Sequence, residues 1–436
     1  MNTLIRIFTF GILSCSIFPI VSDANAQNLC EVPQVKQTIL SNHPVGIPKG
    51  IFPGRVVWSH SPGTAKWNGD NGRWFEDEYN NQENCNWLIN NTICNIAGSD
   101  NVKQGWKKIF RYFNAGHGKG DKGYKKGEIV CVKINNNNTA SHLDSEEINA
   151  SPQMVYALLK SLIEDGGVPQ ECIIVAEPSR FITDYLYHKC HTSFPRVKFV
   201  DNCGGDGREK ADYIKDAMHY SKDNGQLATG ISTAFTKASY IINMALLKGH
   251  VGQGVTLCGK NWYGAMNIHA DWRKNFHNNF NQSRDGKSKY ITFVDFMGHK
   301  DLGGKCMLWL IDALYGCRNV GGAPGPRWEM TPFNRDWPNS LLGSLDPVAI
   351  DMVGVDFLTN EFPDMPDVNY SDMYLMEAAT ADNPPSGTIY DPSGSGIRLK
   401  SLGVAEHWNN KKQKNYTGSN GNKSGGIELI YICKGK

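Results

Sequence analysis

Between residues 128 and 176 the chain runs strand, helix, strand, and that order at that spacing admits few folds. Residues 128–134, Glu-Ile-Val-Cys-Val-Lys-Ile, read as a strand that four asparagines, Asn135 to Asn138, bring to an end. Ser151 then stands as a helix cap with Pro152 at the first helical position. Met154, Val155, Leu158, Leu159, Leu162 and Ile163 recur at helical spacing to form a buried face, and Gly166-Gly167 ends it. Residues 172–176 form a second strand and 197–200 a shorter third. Two strands joined through a helix pair in parallel with a right-handed crossover, so the chain is an α/β protein with a mostly parallel sheet, flanking helices and Rossmann-like βαβ units.

The richest chemistry follows at 237–266, KASYIINMALLKGHVGQGVTLCGKNWYGAM. Its apolar run from Tyr240 reads as a buried strand ending near Leu246-Leu247, and Lys248, Gly249 and His250 come next. In open α/β sheets ligands gather beyond the carboxyl ends of the strands. There the backbone N–H groups of Gly252 and Gly254 approach an anion, and Lys248 and Lys260 neutralise it. The run GVTLCGKN at 254–261 imitates a phosphate-binding loop but has Asn261 where magnesium needs Ser or Thr, and Val-Thr-Leu-Cys is a poor loop, so nucleotide triphosphate chemistry is excluded.

Farther on, residues 290–297 read as another apolar strand and 307–314 as a helix. Asp346 caps a helix opened by Pro347 and reaching about Asn360, and 427–432 form a last strand. Upstream, residues 27–126 form an irregular, loop-rich elaboration holding Trp58, Trp67, Trp74, Trp87 and Trp106, read as buried anchors rather than sugar-stacking platforms. The remainder, 127–436, is one α/β domain.

Arg6, an apolar run over 7–21 and Ala24-Asn25-Ala26 before Gln27 have the form of a secretory signal peptide over residues 1–26, giving a periplasmic or extracellular protein. A lipidated Cys15 after Leu13-Ser14 is the weaker alternative, because the apolar run continues past it. No later segment is long and apolar enough for an integral membrane span. A net charge of +2 and a pI near 7.9 leave no electrostatic footprint for nucleic acid. Export permits disulfides, and Cys85/Cys94, Cys190/Cys203 and Cys306/Cys317 are near enough in sequence to pair. No C-x-x-C occurs, so no local iron–sulfur or zinc-ribbon motif is encoded.

Taken together these landmarks resemble the DUF362 family, in an exported subgroup without a ferredoxin module. The likeness rests on Val132-Lys133-Ile134-Asn135, Ser151-Pro152-Gln153-Met154-Val155, Leu247-Lys248-Gly249-His250, Gly254-Val255-Thr256-Leu257 with Lys260-Asn261, and Ser344-Leu345-Asp346-Pro347-Val348-Ala349. The tail adds Asn383-Pro384-Pro385-Ser386-Gly387 and 403–409, GVAEHWN. Ile134 stands where the family usually has Pro, and Gly249 where it often has Thr. The resemblance adds Asn135 to the ligand-binding candidates. Since the family's activity is not established, it implies kinship more than chemistry.

Lys133 and Lys248, each at a strand end, are expected to converge on an anionic substrate, with Lys260, Asn261, Asn135, Gly252 and Gly254 binding it. His250 is the candidate general acid/base or metal ligand. His269 and His277 are eight residues apart, too far along a helix for one metal, so any metal ion must be held by residues from distant segments. Asp346 is read as a helix cap, and 391–396, DPSGSG, as a turn rather than a calcium loop. The expected function is an enzyme acting on a small anionic or carbohydrate-derived molecule, with Lys133, Lys248 and His250 catalytic; the alternative is a periplasmic binding protein with the same cleft and no chemistry. N-terminal sequencing of the exported protein should begin at Gln27, and a lipid-modified Cys15 at the start would refute the leader assignment.

Overall fold

The strand–helix–strand order closes into parallel sheet as its spacing requires. The computed structural model describes residues 38–222, 230–267, 290–419 and 425–435. Its ten-stranded main sheet runs, edge to edge, Glu428–Cys433, Arg55–His60, Ser340–Ser344, Cys306–Cys317, Tyr240–His250, Val130–Lys133, Ile173–Glu177, Lys198–Asp201 and Glu209–Lys210, with Gly254–Thr256 folded back on the central strand. All pairings from Cys306–Cys317 through Glu209–Lys210 are parallel. Ser340–Ser344 runs antiparallel to both neighbours, and Gly254–Thr256 is antiparallel to its one partner.

Alternation within the central strand builds two cores. Tyr240, Ile242, Met244 and Leu246 face the layer that holds helices Gln82–Ala97, Val102–Gly116, Pro152–Glu164 and Asp184–Ser193. Ile241, Ala245 and Leu247 face the opposite layer, with helices Thr292–Gly298, Pro347–Glu361 and Asn369–Ala379. A strand covered on both faces reads as an unbroken apolar run, which is why it was conspicuous in the sequence.

Two elements exchange types relative to expectation. Residues 290–297, expected as a strand, hold the helix Thr292–Gly298, and 307–314, expected as a helix, lie in the strand Cys306–Cys317. Both are buried almost throughout, so hydrophobic period cannot separate them. Local polar contacts decide. Asp295 accepts hydrogen bonds from Ser221 N (3.0 Å) and Tyr290 Oη (2.5 Å), holding the short helix in place. The central strand, in turn, supplies Cys306–Cys317 with a parallel partner along most of its length.

The region read as irregular contributes more regular structure than expected: strand Arg55–His60, which joins the main sheet, and helices Gln82–Ala97 and Val102–Gly116. Asn81 and Asn101 cap these helices through their side chains. The Asn-rich composition that suggested loops is thus partly cap chemistry. Trp58, Trp67, Trp74 and Trp106 are buried, as anchors should be, whereas Trp87 is only partly buried against the core.

None of the three suggested cysteine pairs is bonded; the ten described cysteines are all free thiols. Cys306 and Cys317 stand at opposite ends of a twelve-residue strand, roughly 35 Å apart. Cys85 and Cys94 lie on one helix, roughly 13 Å apart along its axis. Neither pair can meet. Among the described residues no helix is long and apolar enough to cross a membrane.

Asp312, fully buried in Cys306–Cys317, ties the sheet to the first crossover helix. Its carboxylate accepts Ser151 N at 2.9 Å and Leu314 N at 3.0 Å. Burial raises its pKa, and those N–H groups oppose the rise. Asp312→Ala should lower stability in urea unfolding by about 1–3 kcal/mol for each orphaned N–H, and Asp312→Asn, which keeps one acceptor oxygen, by less.

Candidate functional site

Parallel pairing brings Lys133, Glu177 and the end of Tyr240–His250 to one sheet edge, where a cavity of about 250 Å³ opens. Lys248, His250, Lys260, Asn261 and Asn135 line it, together with Glu177, Ser179, Arg180, Thr256 and Tyr263. The structure thus gathers five of the eight residues proposed from sequence. The other three, Lys133, Gly252 and Gly254, lie outside the lining.

Lys133 lies under the cavity floor, fully buried. Its Nζ donates to Ile134 O (2.5 Å), Glu177 Oε2 (2.8 Å) and Asn261 Oδ1 (2.9 Å). Three donors meet three acceptors, so nothing remains to reach a ligand. Burial pulls its pKa down and the Glu177 carboxylate opposes this. Lys133 is therefore a positioning residue: it orients Glu177 and Asn261, and the direct catalytic contact expected of it is withdrawn.

Gly252 and Gly254 shape the turn between Tyr240–His250 and Gly254–Thr256. Both have φ of +79°. Gly252 N donates to Asp367 Oδ2 at 2.7 Å, and a Cβ on Gly254 would sit 2.3 Å from Ser371 Oγ. Their role is conformational, and the Gly252 amide is directed to a carboxylate of the protein rather than to a ligand. The hairpin also explains why the central strand outlasts its expected end: Thr256, Val255 and Gly254 pair with Lys248, Gly249 and His250.

Lys248, wholly buried, makes one hydrogen bond, to Val320 O at 2.9 Å. Burial is the main cause that brings its pKa down to about 7, with Arg180 acting in the same direction and Cys317, Glu177 and Glu147 against it. Lys260, only 8% exposed, makes no hydrogen bond among the described residues, and its Nζ lies 5.4 Å from the centre of the Tyr263 ring. Burial first, then Lys248, Arg180 and Lys133, hold its pKa well below the usual lysine value. His250 Nδ1 lies 2.6 Å from Val251 O; a carbonyl only accepts, so Nδ1 carries the proton and the neutral ring's lone pair is on Nε2.

A short helix, Cys258–Asn261, carries Lys260 and Asn261. Asp351 anchors it, accepting Cys258 N and Gly259 N at 2.8 Å each and Tyr374 Oη at 2.9 Å. Asn261 accepts from Lys133 and Asn135 and donates to Asn243 Oδ1 at 2.8 Å. Two buried lining atoms, Asn135 Oδ1 and Thr256 Oγ1, have no hydrogen-bond partner among the described residues. Unpartnered buried polar atoms facing a cavity mark where a ligand or water is to be met.

Sequence reasoning passed over Glu177 and Arg180. The signal was present: Glu177 closes the second parallel strand just as Lys133 closes the first, and Arg180 follows in the same loop. Asp346 is a cap, accepting Val348 N (3.0 Å) and Ala349 N (2.9 Å) on one oxygen and Lys49 N (2.8 Å) and Val404 N (3.2 Å) on the other. Asp391 closes a turn on Ser395 N and Gly396 N. Among the described residues no group of three or more His, Cys, Asp or Glu side chains is placed to hold a metal ion. His269 and His277 lie outside the described residues.

Residues 130–356, which contain all the described lining residues of this cavity, match the family described as Domain of unknown function (DUF362). The chain belongs to that family. No curated protein matches it.

Gly264 permits the floor to pack. A Cβ there would stand 2.3 Å from Glu177 Oε1 and 2.9 Å from Lys133 Nζ. Gly264→Ala should disrupt the pair, lowering stability by up to about 3–5 kcal/mol in thermal or urea unfolding. Unchanged stability would mean that the pair is dispensable.

Proposed function

We propose that the protein is an exported enzyme that binds a small anionic substrate at this sheet edge and moves a proton with His250. One observation carries the reading: three basic side chains, Lys248, Lys260 and Arg180, line one cavity whose single carboxylate among the described residues, Glu177, is already paired with Lys133. Positive charge on the buried Lys248 is costly until an anion enters, and the half-buried Arg180 lies on the same wall. Asn135, Asn261 and Thr256 supply neutral polar contacts that would fix the ligand's orientation. Export rests on Arg6, the apolar run after it and Ala24-Asn25-Ala26.

The pH dependence follows from Lys248. Its amine is charged below about pH 7 and neutral above. An anion favours the charged form, so binding takes up a proton and weakens as pH rises through 7, by up to roughly tenfold per unit for one linked proton. Calorimetry with malonate and inorganic phosphate at about pH 6 and pH 8 tests this, and added salt should weaken binding further. Lys248→Ala should cost about 1–3 kcal/mol of binding and flatten the pH profile. His250→Ala should retain binding while turnover falls on the order of 10²–10⁴-fold. Tight binding with no turnover of any small acid in the wild type would instead indicate a binding protein.

A further inference from the structure

We infer that Lys260 is a nucleophile that forms an imine with the carbonyl carbon of a small oxo acid held in this cavity. The inference rests on the anion-site reading above and adds to it a covalent step and a substrate class.

The lysines of this edge differ in what their nitrogens touch. Lys133 has three acceptors and Lys248 has one. Lys260 has none among the described residues, though it is more than nine-tenths buried and lines the cavity. A buried ammonium without an acceptor loses its hydration and receives nothing in return, whereas a neutral amine suffers far less. The neighbouring cations Lys248, Arg180 and Lys133 push the same way. The opposing charge, Glu177, is engaged by Lys133 at 2.8 Å. An amine kept neutral by burial and adjacent cations is what attack on a carbonyl requires.

Its placement is fixed rather than adaptable. Asp351 holds the first two N–H groups of the short helix, and Asn261 is tied to Lys133, Asn135 and Asn243. The cavity, about 250 Å³, has room for roughly eight waters at about 30 Å³ each, which suits an acid of a few carbons. With the carboxylate held by Arg180 and Lys248, an adjacent carbonyl carbon falls to Lys260.

The step balances without a further reagent. The Nζ lone pair forms a C–N bond, the carbonyl π electrons move to oxygen, and an Nζ proton follows them to give a carbinolamine. The Lys248 ammonium then protonates the hydroxyl, the C–O bond breaks, water leaves, and the nitrogen lone pair closes a C=N bond. Amine, carbonyl and one proton become iminium and water, and Lys248 is left neutral.

Borohydride trapping tests this on the full chain. Pyruvate or glyoxylate is added with sodium borohydride, and intact mass and peptide mapping follow; hydride addition to the iminium gives a mass gain equal to the acid less one oxygen. Malonate, which cannot form an imine, reports anion binding separately. The expected result is one adduct, on Lys260, that disappears in Lys260→Arg, while wild-type malonate binding reports the anion site independently. Lys260→Met, checked by thermal melting, serves if the arginine variant does not fold, and peptide mapping of the wild type decides the site without either variant. Malonate binding with no adduct from either oxo acid, or adducts spread over exposed lysines, overturns the nucleophile and leaves the anion site standing. Absence of both malonate binding and adduct overturns both.

Discussion

The Lys133–Glu177 ion pair is the interaction on which the carboxyl edge of the sheet depends. It joins the last residues of two parallel strands and, through Asn261, the short helix beyond the third. Buried charges are tolerated where geometry is good and the remaining valences are filled. Here Glu177 also accepts Asn136 N at 3.2 Å and Ser179 Oγ at 2.9 Å, so both oxygens are occupied. Replacing the pair with apolar residues would serve stability as well or better. What the pair adds is orientation: it fixes Asn261 and its neighbour Lys260, and it engages Glu177, the one lining carboxylate among the described residues.

A second pattern supports this edge from behind. Buried carboxylates repeatedly accept main-chain N–H groups that regular structure leaves over. Asp351 does so for the helix carrying Lys260, Asp346 for the start of Pro347–Glu361, and Asp312 for Ser151. Asp356 accepts Trp408 N at 2.9 Å, and Glu406 accepts Ile427 N at 2.6 Å. Each such group joins segments far apart in sequence. Burial raises the pKa of every one of them, and the N–H donors pull it back. The segment 255–266 beside the site is thus held by buried carboxyl acceptors as well as by its apolar side chains in the core, which gives a polar cavity rigid walls.

How far the sequence speaks for itself depends on whether a signal is local. The βαβ unit at 130–177 was legible because cap, period and turn residues agree along one short stretch. Asp346 as a cap was legible for the same reason. The exchange of helix and strand between 292–298 and 306–317 was not, since both segments are apolar on every side and their identities are set by partners distant in sequence. At the site, the carboxyl-edge rule brought forward Lys248, His250, Lys260 and Asn261. It overstated Lys133, because no sequence pattern counts acceptors around an ammonium. It also missed Glu177 and Arg180, although the same rule, applied to the second strand, reaches both.

The remaining step concerns why one edge should hold lysines in such different states. The three lysines differ in their acceptors: three for Lys133, one for Lys248, and none among the described residues for Lys260. A fold selected only for stability would not bury the last of these, since exposure restores its hydration at no cost. Nor would a site selected only for anion binding, because an amine held neutral contributes little attraction. The difference fits the division of labour that the imine proposal assigns. On the imine proposal, Lys133 builds the floor, Lys248, whose pKa burial brings down to about 7, gives or takes a proton, and Lys260 is the nucleophile. Two titratable nitrogens whose surroundings separate their behaviour are the physical signature of acid and nucleophile acting on one substrate.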